Sequence, residues 1–190
     1  MIATTPASPC RFPLVDPATV VDPVVRAVYD EIERELGFGI VPNVFRAKAG
    51  QPAILRATWD LFRATVLQGL LPRTVKEMIG IVVSAAAGSE YALKVHLHSL
   101  GVQGVSEDVL STLAAGSARA PGVSPSVAAV IQLVHRAVHE GPLAVSDADV
   151  AAATAQGITS EELIEVFASI DLFRYINSFT DLARVPVDAL

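Results

Sequence analysis

The segment "LPRTVKEMIGIVVSAAAG", residues 71–88, constrains the fold most tightly. Val75, Ile79, Val82, Val83 and Ala86 recur at intervals of three and four, the period of a helix with an apolar stripe, and Pro72 and Gly88 bound the run. The stretch ahead of it, from Pro52 to about Leu67, repeats the pattern with Ile54, Leu55, Trp59, Phe62 and Val66, and "GLLP" is the turn between the two. No segment alternates at period two with strand residues. The expected fold class is all-α.

Composition narrows this further. Hydrophobic residues are 52% and charged ones 18% of 190 residues, with a mean hydropathy of +0.48. The longest unbroken apolar run, near "IGIVV", is far short of the roughly 20 residues that cross a bilayer. Helices that bury more than one face are the remaining explanation, in part against another subunit. A soluble homo-oligomer, dimer to hexamer, with no membrane partner is expected. The net charge of −6 and the absence of a basic stripe exclude nucleic acid as a partner. "MIATTPASPCRFPLV" has neither an early basic residue nor an apolar core and does not read as a signal peptide. The single cysteine, Cys10, excludes an intrachain disulfide and a Cys-x-x-Cys pair, and a cytoplasmic address is expected.

Residues 1–20 carry Pro6, Pro9, Pro13 and Pro17 and read as an extended arm, leaving 21–190 as one helical domain. Asp22-Pro23 reads as an N-cap and first helical position. Seven or eight helices are expected, with Asn43 opening a short one, Ser89, Ser106 and Ser146 as caps, and a break near Asn177 and Ser178 in the last. "LFRATVLQGLLPRTVKE" and "LVHRAVHEGPLAVSDAD", about 70 residues apart, suggest two similar helical hairpins.

The helix beginning at Ser89 places Ser89, Ala92 and His96 on one face. Ser89 and Ala92 fall in its first turn, where free N–H groups and the helix dipole favour an anion. Glu77, on the preceding helix, reaches the same cleft if the two helices fold back on each other. An acid inside an apolar stripe needs a partner. Lys94 and His98 fall off this face and are expected in solvent. His135 and His139, at i and i+4 beside Glu140, have a metal-compatible spacing but no identifiable third ligand, so no metal is expected. Asn177, late in the chain, is a further residue that could contribute to a neighbouring pocket.

"LPRTVKEMIGIVVSAAAGSEYALKVHLHSLG" resembles the core motif of the AhpD-like and carboxymuconolactone decarboxylase superfamily, and "LGFGIVPNVFRAKAGQPAILRATWDLF" ahead of it resembles the peroxidase-related subgroup. The resemblance covers residues 35–105 and, more loosely, the tail after 125. Thiol-bearing members have a glutamate, then twelve residues later a Cys-x-x-Cys with a tyrosine before its second cysteine, then a histidine four residues on. Glu77, Tyr91 and His96 match; the cysteine positions are Ser89 and Ala92. In thiol members the resemblance implies that the glutamate and histidine relay protons to peroxide-reducing cysteines. A serine and an alanine support no such redox cycle.

The resemblance therefore implies an AhpD-like oligomer with pockets bounded by more than one subunit. The Glu/His pair suits cofactor-independent acid–base work, a decarboxylase, isomerase or related lyase acting on a small carboxylate-bearing molecule. Glu77 and His96 would be catalytic, with Tyr91, Ser89 and Ala92 against the substrate. Alternatives are a plain N-cap for Ser89, a packed cleft-edge ring for Tyr91 and a structural pairing for Glu77 and His96. The whole chain would then be a non-catalytic binder or assembly partner, whose cleft is closed. A third reading is an alkylhydroperoxidase-type antioxidant protein whose two cysteines have been substituted.

Overall fold

The computed structural model describes residues 10–190. The first nine residues of the expected arm lie outside the described residues. In the remainder of the arm, Pro17–Thr19 forms a single 3-10 turn capped by the Asp16 carboxylate. Among the described residues every regular element is helical. The helices are α1 (Pro23–Glu35), α2 (Asn43–Arg46), α3 (Pro52–Phe62), α4 (Arg73–Ala87), α5 (Glu90–Val102), α6 (Glu107–Ala114), α7 (Pro125–His139), α8 (Asp147–Ala155) and α9 (Ser160–Ala183). They number nine rather than seven or eight because the single turn at Asn43 is a helix in its own right.

Local chemistry sets most of the ends. The Asp22 carboxylate accepts the Val24 and Val25 N–H groups at the start of α1, and Ser146–Asp149 and Thr159–Glu162 form reciprocal capping boxes on α8 and α9. Helix α3 runs into a π-helical turn, Arg63–Leu67. The expected break at Asn177 and Ser178 is absent, and α9 continues through both. Asn177 is buried, and its side-chain oxygen accepts the Ser84 hydroxyl of α4 at 3.2 Å. Its amide thus bonds across the helix interface instead of competing for its own backbone.

Helix α4 is the central element, packed by α5, α6, α7 and α9. All ten residues from Val75 to Ser84 are buried, so much of the excess hydropathy is absorbed within the chain. Such a helix must satisfy its own polar groups. Lys76, without exposure, pairs with Glu165 of α9 at 2.9 Å and donates to the Gln68 carbonyl. The same Glu165 carboxylate takes the Leu70 and Leu71 N–H groups, tying the turn before α4 to α9. Gly88, at φ 67°, ends α4 in the left-handed conformation and turns the chain back, so that α5 lies along α4. Among the described residues no helix is long and apolar enough to cross a membrane.

Candidate functional site

The α4–α5 hairpin brings Glu77 and His96 together in the interior, at 2% and 5% exposure. His96 Nδ1 lies 2.6 Å from Glu77 Oε2. The other carboxylate oxygen accepts the Ser99 hydroxyl at 2.8 Å and Arg73 Nε at 3.2 Å. Arg73 also donates to the Leu36 carbonyl at 3.0 Å, which anchors the end of α1 to this network. Burial by itself would push the Glu77 carboxyl up. The His96 hydrogen bond and charge, the Arg73 charge and the Ser99 hydroxyl outweigh it and hold the carboxyl below its ordinary value.

An ionised Glu77 takes the proton of Nδ1, so in the neutral ring Nε2 carries the lone pair. Nε2 has no hydrogen-bond partner among the described residues. The ring is clamped by the edge of Phe173, with centroids 4.6 Å apart, and by Gly80. A Cβ at Gly80 would stand 2.5–2.6 Å from three atoms of the imidazole, so only glycine lets α5 bring its histidine this close to α4.

Glu77, His96, Tyr91 and Ala92 border one cavity of about 30 Å³, room for one or two waters. Its other walls are apolar, with Phe38 among them. Phe38 stands between Gly37 (φ 83°) and Gly39 (φ 69°), on the loop from α1 to α2.

The remaining expected residues have other employment. The Tyr91 hydroxyl donates to Asp188 Oδ2 at 2.7 Å and accepts the Val44 N–H at 3.1 Å. Burial and the Asp188 charge push its pKa well above the ordinary value. Its ring is a wall of the cavity, and its hydroxyl fastens the C-terminal segment to α2. Ser89 occupies the N-cap position of α5, yet its side chain caps nothing. It is fully buried, donates to Asp181 Oδ1 at 2.9 Å, and does not border the cavity. The anion beside the start of α5 is therefore a carboxylate of this chain. Ala92 contributes a methyl wall.

Lys94 is solvated as expected, paired with Glu90 at 2.6 Å, whereas His98 is half-buried against the edge of Phe38. The His135 and His139 rings lie 4.1 Å apart, with His135 Nε2 on the Gly116 carbonyl. No group of three potential metal ligands occurs among the described residues. Asn177 does not border the cavity. Arg73 and Ser99 were not anticipated, although helical spacing carried the signal: Arg73 is four residues before Glu77, and Ser99 three after His96. Asp181 and Asp188 approach from the far end of the chain, with no local signal.

Residues 52–136 match the carboxymuconolactone decarboxylase family. An alkyl hydroperoxide reductase of Mycobacterium tuberculosis is 31% identical over 128 residues, 67% of this chain and 36% of that protein's length, so the chain spans little over a third of this relative. Among solved structures, the AhpD-core, peroxidase-related protein of Ralstonia eutropha JMP134 superposes with a TM-score of 0.82 at 23% identity, over 98% of this chain and 95% of the other. The debrominase Bmp8, as a cysteine-to-alanine variant in complex with 2,3,4-tribromopyrrole, gives 0.76 at 18% identity, over 98% and 94%. The glutamate, tyrosine and histidine of the motif stand in place without either thiol, and residues 52–136 are similar to the carboxymuconolactone decarboxylase family, carried in an AhpD-like helical fold.

Proposed function

We propose that the chain is a cofactor-independent acid–base catalyst in which His96 moves a proton on a small, neutral, largely apolar molecule and Glu77 fixes the tautomer. The observation that carries this reading is the buried carboxylate on Nδ1 of a histidine that borders the cavity and whose Nε2 has no hydrogen-bond partner among the described residues. Burying a carboxylate is costly, and a purely structural role is met as well by apolar residues. Nε2 takes the proton, Glu77 stabilises the resulting imidazolium, and the same nitrogen returns the proton at a second position. That is an isomerase-type cycle. A carboxylate substrate, the sequence expectation, is less well served: Arg73 is engaged by Glu77, Ser99 and Leu36, and the charged group bordering the cavity is Glu77 itself. A relative of the same fold binds a flat halogenated pyrrole, which supports a small apolar ring as the ligand type. Entry of anything larger requires a wall of the cavity to move, because the cavity holds no more than a water or two.

The test is solvent deuterium incorporation into a panel of small cyclic ketones and pyrroles. Wild type should exchange, and Glu77→Gln and His96→Ala should each lose about 10²–10⁴-fold. Equal exchange by all three proteins would refute the assignment.

The second reading, a non-catalytic binding or assembly member, is favoured by the cavity of about 30 Å³ and by Glu77 and His96 satisfying each other. It predicts no exchange with any probe. Either reading includes self-association, supported by Ile164, Phe167, Tyr175 and Leu182, exposed at helical spacing along α9. A second copy of this chain covers that stripe, and sedimentation of Ile164→Glu/Leu182→Glu should give a smaller species than wild type.

A further inference from the structure

The chain has three lysines, and two have carboxylate partners. Lys76 pairs with Glu165 and Lys94 with Glu90. Lys48, in the turn between α2 and α3, has none among the described residues: it is 3% exposed, and its Nζ is buried without a hydrogen-bond partner among them. The amine stands 3.2 Å from the centroid of the Phe179 ring and 4.8 Å from that of Tyr175. The Tyr175 hydroxyl is engaged by Thr58. Lys48 is among the residues lining a cavity of about 370 Å³, together with Phe12, Val15, Ile54 and Phe179, and this cavity shares no lining residue with the Glu77–His96 cavity. Phe12 is about half exposed and stacks on Phe179 at 6.3 Å, forming the solvent-facing wall.

We propose that Lys48 is an amine site that captures small apolar aldehydes or ketones as imines in this second cavity. A carboxylate ligand is disfavoured, because Gln51 is the one other polar side chain lining the cavity among the described residues and a desolvated carboxylate needs several donors. A neutral carbonyl brings no such penalty, and the apolar walls bury its body. The nitrogen lone pair adds to the carbonyl carbon as the C–O π bond opens. The nitrogen then loses its protons, oxygen leaves as water and a C=N bond forms: amine plus carbonyl gives imine plus water, with no change of oxidation state. Burial pushes the amine down to about 7, so a large share is unprotonated near neutral pH. Among the described residues Lys48 is the one titratable group lining the cavity, and the Tyr175 ring faces the amine.

The test is reductive trapping with cyclohexanecarboxaldehyde and limiting cyanoborohydride, read by peptide mass spectrometry across pH 5–9. Lys48 should be labelled at least about tenfold faster than solvated Lys94 at neutral pH, with a rate rising through about 7. Lys48→Met, whose fold is checked by circular dichroism, should lose that label and keep the one on Lys94. Filling the cavity with Ile54→Trp should slow labelling of an intact Lys48. Labelling of Lys48 no faster than Lys94, or equal labelling by hydrophilic glycolaldehyde, would overturn the proposal. So would stabilisation by cyclohexanecarboxylate without imine trapping, which would make the cavity an acid-binding site.

Discussion

Glu77 Oε2 and His96 Nδ1 lie 2.6 Å apart on adjacent antiparallel helices, both side chains shut away from solvent. The pair is held by long-range packing and makes the fold depend on one carboxylate's charge. Glu77 has a folded pKa below its ordinary 4.5. As pH falls past 4.5 the unfolded chain takes up the proton first, so stability is present above that value and is lost as pH drops through the folded pKa. Glu77→Gln should be about 3 kcal/mol less stable at pH 7, because Arg73 and His96 lose a buried partner, and should lack this acid-limb slope. Urea unfolding between pH 3 and 7 measures both. Parallel pH dependences in the two proteins would show that Glu77 is not the linked group.

Gly80→Ala offers a test with an unusual sign. In a helix interior the replacement ordinarily gains about 1 kcal/mol. Here the new methyl would lie 2.5 Å from the His96 ring, which cannot retreat while Glu77 and Phe173 hold it. A net loss of about 1–3 kcal/mol is expected, along with loss of the low-field Nδ1 proton resonance of His96. A stabilised variant with that resonance intact would show that the two helices do not approach so closely.

How much of this was legible beforehand follows from the range of each interaction. The stripe Val75–Ala86, the Asp22-Pro23 start and the Ser146 cap are local, and they emerged as expected. Glu77 and His96 were legible because a motif fixes them on consecutive helices. Ser89 stands at the N-cap position as expected, but its hydroxyl partner was not legible, for the opposite reason. Its sequence neighbours say N-cap, but Asp181, 92 residues away, takes the hydroxyl. Tyr91 is used by Asp188 and Val44 in the same way. Asn177 looked like a helix break because nothing local shows Ser84 waiting across the interface. The cavity's small size was equally hidden, since its walls come from segments as far apart as Leu36 and Ile176.

Restoring the thiols tests what Asp181 does. Ser89→Cys/Ala92→Cys would place the first sulfur where a hydroxyl now touches that carboxylate at 2.9 Å. A nearby negative charge raises a thiol's pKa by about one unit and depletes the thiolate. The double variant should therefore reduce tert-butyl hydroperoxide slowly at pH 7, and adding Asp181→Asn should speed it about tenfold. Equal rates with and without Asp181 would show that the carboxylate does not control position 89.

Lys48→Met separates a buried unpaired amine from a satisfied one. Burial lowers the folded pKa of Lys48 from 10.5 to about 7. Between these values the unfolded chain holds a proton that the folded chain has released, so wild-type stability rises with pH across that window. Below about 7 the folded protein carries an ammonium whose nearest electrostatic partner is the face of Phe179. Methionine keeps the unbranched volume and removes the charge. The variant should be more stable than wild type at pH 6 by about 1–3 kcal/mol, in line with other replacements of buried charge by apolar residues. The advantage should shrink towards pH 10, where the wild-type amine is neutral in the folded and increasingly in the unfolded chain. Thermal unfolding of both proteins at pH 6, 8 and 10 measures the difference. A variant less stable at pH 6 would mean that Lys48 has a counter-charge, and the amine would then be a structural cation instead of a nucleophile.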